Sequence, residues 1–364
     1  MMQFSLLPLL SKITNIFGAK RKTLANNLLC FISCLWDAQS VSIYACADRL
    51  KRFSKTEAAF KPHYQRFIRF FRESSASGML ANVSAVIADS IETPDHLIMD
   101  RTNWKRGKHN YNVLVIGVLT KGIFIPVVWK WLDKRGNSSS LECIELLERF
   151  VEVMRRANKP IADCLLLADR EFIGMDWISA LNAHNMNYCL RVRKNFFVKH
   201  NGEARRISSF RTRGKDRSFS IEIDEMKLLL GVSQYKNRNG KTEKLYVYTN
   251  NKELNLSYYR LRYKIECCFK HLKSNGFDLE ACNLRKEERV DLLFAACILA
   301  FVFACLEGIA INNRKAIKYK EYANGKRYLE KSIFRTGLTH IVQQLEAIFK
   351  LAKILNTRKL ELNV

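Results

Sequence analysis

The stretch LIMDRTNW (97–104) is followed by NVLVIGVLT (112–120) and IFIPVVWKWLD (123–133). All three are short apolar runs rich in β-branched and aromatic residues. Gly122 stands between the second and the third, so the segment predicts strands joined by hairpins. Reading downstream, SSLECIELLERFVEVMRRAN (139–158) has apolar residues at helical spacing, with Ser138 to Ser140 near its start as capping residues. CLLLADREF (164–172) is a strand ending in charge, MDWISALNAHN (175–185) a second helix and NYCLRVRK (187–194) a further strand. Three strands, helix, strand, helix, strand is an α/β order with a mixed sheet.

The pattern changes on both sides of this block. Residues 195–250 alternate in strand fashion in SFSIEID (218–224), KLLLGVSQ (227–234) and KLYVYTN (244–250), with the turn KNRNGKT between the last two. They read as a β-rich insertion. Residues 1–90 read as helical. SVSIYACADRLKRFSKTEAAFKPHYQRFIRFFRE (40–73) mixes apolar positions with Lys51, Arg52, Lys55, Lys61, Arg66, Arg69 and Arg72, and Ser54 with Glu57 forms a capping-box pattern. Such basic helices suit DNA and equally suit a solvated bundle. The expected organisation is a helical DNA-binding region over 1–90, an α/β core beginning in 91–194, the insertion over 195–250, a return of helix over 251–311, and a basic helical region over 312–364.

Lys and Arg number 61 against 35 Asp and Glu, a formal charge of +26 spread along the chain. An excess of this size points to a polyanionic partner, most often nucleic acid. The 11 cysteines are odd in number, include no CxxC pair and sit largely in apolar runs. They predict buried thiols in a reducing compartment rather than a disulfide framework or a zinc site. The opening MMQFSLLPLLSKI lacks the basic start and small-residue cleavage site of a signal peptide. LLFAACILAFVFACL (292–306) is shorter than a membrane span and is bracketed by Arg289, Asp291 and Glu307, so it predicts a helix buried on all sides and no membrane partner.

Three acids occupy informative places. Asp100 ends LIMD, Asp169 ends LLLAD, and Glu266 lies within YYRLRYKIECCFKHLKS (258–274). Strand ends in α/β folds open onto crevices where sites form, and carboxylate oxygens are the ligands that Mg²⁺ prefers. On one continuous helix, Tyr259, Arg262, Glu266 and Lys273 fall within roughly 60° of one another, with Lys270 on the same stripe. Tyr258, Leu261, Ile265, Phe269 and Leu272 form a second arc that would face a core. Taken alone, Arg262 and Glu266 are also an ordinary i,i+4 ion pair, and each aspartate is also a plausible strand-end cap.

The spacing Tyr-x2-Arg-x3-Glu-x6-Lys resembles the signature of the insertion sequence 4 family of DDE transposases. The segments from Met99 to Ser140, LLLADREFIG (165–174) and the block from Tyr258 onward are similar to one of its subgroups, so the resemblance runs from about Tyr64 to Gly308. It implies an RNase H-like catalytic core with a β-rich insertion. It implies Asp100, Asp169 and Glu266 as catalytic, metal-binding residues holding two Mg²⁺ ions, with Mn²⁺ able to substitute. Tyr259, Arg262 and Lys273 would engage DNA near the cleaved phosphate. Lys270 and Arg170 are further DNA-binding candidates, Glu171 a support for a metal ligand, and Asn103 and Trp104 belong to the matched segments. Some relatives carry a tryptophan on the strand before the signature helix that handles a flipped base. Here Leu245 stands near that place, beside Tyr246 and Tyr248, either of which could stack on a base or be an ordinary strand residue. His271 reads as facing solvent or DNA.

The function that follows is a bacterial transposase that cleaves element ends and joins them to target DNA. Its partners are double-stranded DNA, as terminal inverted repeats and target, and a second copy of the chain in a synaptic homodimer. It would work in the cytoplasm at the nucleoid. The alternatives are a catalytically inactive DNA-binding transposition inhibitor and an RNase H-like nuclease that cuts without joining.

Overall fold

A computed structural model describes residues 22–50, 60–73, 76–106, 108–212, 216–236, 240–314, 318–321, 325 and 327–346. The predicted Ser54–Glu57 capping box, the residue before the 108–109 turn and the tip of the 236–242 turn lie outside them. Contacts divide the chain into two compact units, one from Ile91–Phe269 and one from the two chain ends, Met1–Ser90 with Lys270–Val364.

The first unit is a ten-stranded sheet with two helices in its connections. β1 (His96–Arg106), β2 (His109–Thr120) and β3 (Ile123–Trp131) form an antiparallel meander. β2 and β3 are joined by Lys121 and Gly122, both at positive φ, the conformation of a two-residue primed turn whose twist matches the strands it connects. α5 (Ser140–Arg156) follows and packs on β2 and β3. Its start is fixed by a capping box: Ser139 Oγ accepts from the Glu142 N–H, and the Glu142 carboxylate accepts from the Ser139 N–H. β4 (Leu165–Ala168), α6 (Met175–Ala183) and β5 (Asn187–Arg191) complete the block, with β4 parallel to β1 and β5 parallel to β4. Both short strands are apolar through their centres because both sheet faces are covered there.

The order across the sheet is β3-β2-β1-β4-β5-β10-β9-β8-β6-β7. Strands β6 (Phe197–His200), β7 (Glu203–Arg206), β8 (Arg217–Ile223), β9 (Met226–Lys236) and β10 (Thr242–Thr249) therefore extend the sheet beyond β5, with β10 antiparallel to it. A 3₁₀ turn, Leu256–Arg262, and α7 (Tyr263–Leu272) follow, and α7 passes from the sheet unit into the helical unit after Phe269.

The second unit contains α1 (Lys22–Ala38), α2 (Ile43–Leu50), α3 (Phe60–Glu73), α4 (Ala76–Ser90), α8 (Glu287–Arg314) and a helical stretch over 333–346; the 312–364 region expected to be helical also holds a small antiparallel pair, β11 (Tyr319–Glu321) with β12 (Arg327–Leu329). α8 is long and apolar enough to cross a membrane, but its most apolar window is 94% buried, against α1, α3 and α4 among others. The expectation of a helix buried all round holds. Phe31 of α1 meets Phe67 and Phe71 of α3 edge to face, and Trp36 donates its indole N–H to the Ala300 carbonyl of α8 at 3.0 Å. A Cβ on Gly337 would lie 1.8 Å from the Ala304 carbonyl oxygen, so the 333–346 helix crosses α8 with backbone against backbone. All eleven thiols are free, and those at Cys34, Cys46, Cys143, Cys164, Cys189, Cys297 and Cys305 are buried with pKa values pushed up by desolvation, as inert structural cysteines are.

Candidate active site

The parallel register of β1 and β4 pairs Met99 with Ala168. Asp100 is the next residue of β1 and Asp169 the first residue past β4, so the register brings the two carboxylates together where β4 ends. Each is held by its own local backbone. The Arg101 N–H donates to Asp100 Oδ1 and the Arg170 N–H to Asp169 Oδ1, both at 2.8 Å. Burial raises the Asp100 carboxyl to about 6, against the lowering pull of Arg262 and the Arg101 N–H.

Glu266 reaches this place through Arg262. One guanidinium nitrogen donates to Asp100 Oδ2 at 2.7 Å and another to Glu266 Oε1, one turn away on α7. The i,i+4 ion pair foreseen in the sequence therefore exists, but it is one half of a bridge that joins strand to helix. Burial acts to lower the Arg262 pKa, and Tyr259, Asp100, Asp169 and Glu266 around it outweigh that and push it upward, so the side chain stays a cation. Tyr259 is almost buried and its hydroxyl lies 3.3 Å from Asp169 Oδ1, as donor. Burial, with the Asp169 charge adding to it, holds the phenol well above its ordinary pKa and keeps it protonated.

The segment is not the single α-helix assumed from its spacing. Leu256–Arg262 is 3₁₀, begun by the Asn255 side chain accepting from the Ser257 N–H, and α-helix starts only at Tyr263. In a 3₁₀ turn residues three apart eclipse, which stacks Arg262 over the Tyr259 ring at 6.0 Å. The same change of period corrects the expected core arc. Ile265, Phe269 and Leu272 are buried, but Tyr258 is 43% exposed and lies edge-on to His96, and Leu261 is only half-buried. Lys270 and Lys273 belong to the helical unit. Lys270 is exposed near the end of α7, and Lys273 follows the helix, 3.9 Å from Glu280, with its pKa lowered by burial. His271 is corrected too: it packs against Phe334 at 4.6 Å and near Phe301 rather than facing solvent, and burial lowers its pKa to about 4.

Two arginines escaped the sequence reading. Arg101 forks onto Glu171 at 3.2 and 3.3 Å and also donates to Asn112 at 3.1 Å, which fixes the backbone N–H that Asp100 accepts. Arg191, at the end of β5, lies 4.0 Å from Asp169. Their signal was charge directly following an apolar strand, in MDR and CLR. Arg170 is exposed beside Asp169. Tyr246 and Tyr248 are buried strand residues, and Leu245 lines a cleft of about 870 Å³ together with Arg191, Tyr235, Tyr259, Arg260 and Arg262. Arg191, Lys236, Arg260 and Arg262 outnumber Asp216 and Glu243 in its lining, a balance that suits a polyanion.

The donor set at the strand ends is all carboxylate oxygen, which fits a hard divalent cation. Among the described residues no three acid, histidine or cysteine side chains stand close enough to enclose an ion. The Arg262 guanidinium lies between Asp100 and Glu266 and supplies the positive charge those acids require.

The profile of the transposase DDE domain family matches residues 85–303, more than half of the chain. The protein belongs to that family. Among solved structures, it is similar to the piggyBac transposase in a synaptic complex with hairpin DNA, at 12% identity and a TM-score of 0.49, over 91% of this chain and 73% of that one. No curated protein matches the chain.

Proposed function

We propose that the protein is an insertion-sequence transposase of the Tyr-Arg-Glu-Lys type that cuts DNA at element ends and joins the freed 3′ ends to target DNA. One observation carries the reading: the sheet register sets Asp100 beside Asp169, and Arg262 ties Asp100 to Glu266. The strand order β3-β2-β1-β4-β5, with β4 and β5 parallel to β1, supports an RNase H-like core, into which β6 to β10 are inserted.

Asp100, Asp169 and Glu266 would hold the divalent cations, Mg²⁺ with Mn²⁺ as substitute, whose chemistry is activation of the attacking oxygen and stabilisation of the leaving one. The rest follows from side chains of this chain. Arg262 forks onto oxygen anions and is positioned to exchange its hold on Asp100 and Glu266 for a DNA phosphate, which frees both carboxylates as the substrate arrives. Tyr259, protonated, donates to Asp169 and orients it. Glu171 acts through Arg101 on the orientation of Asp100. Arg170 and Arg191 add positive charge beside Asp169, and Lys270 and Lys273 bind DNA backbone. The working form is a homodimer that pairs two ends, in the bacterial cytoplasm.

The test is incubation of the protein with Mg²⁺ and DNA carrying the repeats that flank its gene, alongside Asp169→Asn. Cutting and strand joining at the repeat ends by the wild type alone is expected. End binding by both proteins with no cutting under Mg²⁺ or Mn²⁺ would replace this reading with an inhibitor, and cutting without joining would replace it with a nuclease.

A further inference from the structure

β4 accompanies β1 only through Met99, yet β1 runs on to Arg106, paired with β2 throughout, from Asp100 opposite Val115 to Arg106 opposite His109. β3 leaves β2 at Val113. The last third of the hairpin is therefore a two-stranded ribbon that projects past the strand end carrying the acids. It is stiff. Trp104 and Tyr111, directly opposite in the register, stack at 5.1 Å, and Trp131 closes on both rings edge-on at 5.9 and 6.4 Å.

The chemistry of the ribbon is one-sided. Residues 101–112 hold four Lys and Arg and no acid. Arg101 is committed to Glu171, and Lys134 beside the ribbon to Glu142 at 2.7 Å. Lys105 and Lys108 are exposed, as are Asn103, Asn110 and Arg135 around the cleft at the ribbon's side. Lys105 stands five residues beyond Asp100, roughly 17 Å along an extended strand, which is the rise of about five base pairs. A two-stranded ribbon is also of a width that the major groove of duplex DNA admits.

We infer that the β1–β2 ribbon is a DNA-binding arm that grips the backbone of the duplex being cut, about five base pairs from the scissile phosphate. This rests on the transposase reading, which puts that phosphate at Asp100. The donor duplex is the partner rather than target DNA because the ribbon continues the very strand that bears Asp100, so a duplex seated at the acids runs within reach of Lys105 and Lys108. These lysines act as point charges on phosphates and set register rather than read sequence.

The experiment compares the full-length protein with Lys105→Gln/Lys108→Gln, and with the Arg double substitution as the rescue, by fluorescence anisotropy in Ca²⁺. The probes are element-end duplexes extending about 15 base pairs on one side of the cut and about 2 on the other, the reverse pair, and an unrelated duplex as target. Two lost phosphate contacts lower the slope of log K against log salt by about 2, a loss of up to about 60-fold in affinity at 0.1 M salt. The wild type should gain affinity when one particular side is lengthened, the Gln variant should not, and the Arg variant should recover it. Unchanged slope and length preference in the Gln variant would overturn the arm, as would a loss confined to the unrelated duplex. A wild type with length preference but no Mg²⁺-dependent cutting would overturn the catalytic reading and leave the arm standing. Both lysines are exposed, so unfolding melts of the variants should overlay the wild type.

Discussion

Asp100→Asn should make the metal-free protein more stable, and only at neutral and alkaline pH. The Asp100 side chain is 18% exposed, and burial raises its carboxyl from an ordinary 3.8 to about 6. A carboxyl whose folded pKa lies above its unfolded one stabilises the fold while protonated. That contribution is complete below pH 3.8 and is lost as pH rises through 6. The displacement of about two units corresponds to about 3 kcal/mol at most, at about 1.4 kcal/mol per unit. Asn is neutral at every pH and escapes the loss, while Arg262 keeps Glu266 as partner. The variant and wild type should coincide near pH 4 and diverge to about 1–3 kcal/mol by pH 8, a rise of roughly 3–10 °C in the melting of a unit this size. Trp104, Trp129, Trp131 and Trp177 all lie in the sheet unit, so tryptophan fluorescence in EDTA follows the relevant transition. Parallel pH profiles, or a wild type more stable than the variant at pH 8, would show that Asp100 is comfortable as an anion without metal.

Other substitutions probe other links. Arg262→Gln removes the cation between Asp100 and Glu266, so Mn²⁺ should bind the DNA-free variant several-fold tighter by paramagnetic resonance, while strand cutting falls at least about 100-fold. An unchanged Mn²⁺ affinity would mean the bridge does not compete with the ion. His271 is held neutral, its pKa lowered to about 4 by burial. That contributes stability present above pH 6.5 and lost as pH falls toward 4, and His271→Leu should flatten this acid limb in denaturant titrations at pH 7 and 4.5. Gly337→Ala places a Cβ 1.8 Å from a backbone carbonyl and should cost about 1–3 kcal/mol by the same titration at pH 7. Glu171→Gln loosens Arg101 and should lower the cutting rate with little change in end binding, as a residue acting through Asp100 requires.

What the sequence disclosed was local. The three strands, the serine-capped helix, the aspartates that close LIMD and LLLAD and the buried helix around Phe301 all announce themselves within a few residues, through runs, periods and caps. The errors arose where one period was extended too far. At 100° per residue Tyr258 and Leu261 belong with Ile265, but the 3₁₀ turn advances about 120°, and it is Tyr259 that goes inside. The rest depended on partners remote in the chain. Arg101 needs Glu171, Asp169 needs Arg191, and His271 is half-buried because Phe301 and Phe334 arrive from the far end. No spacing within one segment encodes those meetings.

The helical unit is drawn from both ends of the chain, and this sets a timetable for synthesis. Helices α1 to α4 leave the ribosome before the sheet unit begins, but their partner α8 starts only at Glu287, roughly 200 residues later. At about 5–20 residues per second that is a wait of roughly 10–40 s with Trp36 lacking the Ala300 carbonyl and the Phe303 ring of α8 that it meets in the folded chain. The sheet unit, complete at Phe269, has everything it requires to fold in the interval. A message broken just after that point would release the paired aspartates and Glu266 on a finished sheet, preceded by helices α1 to α4 with nothing to close them.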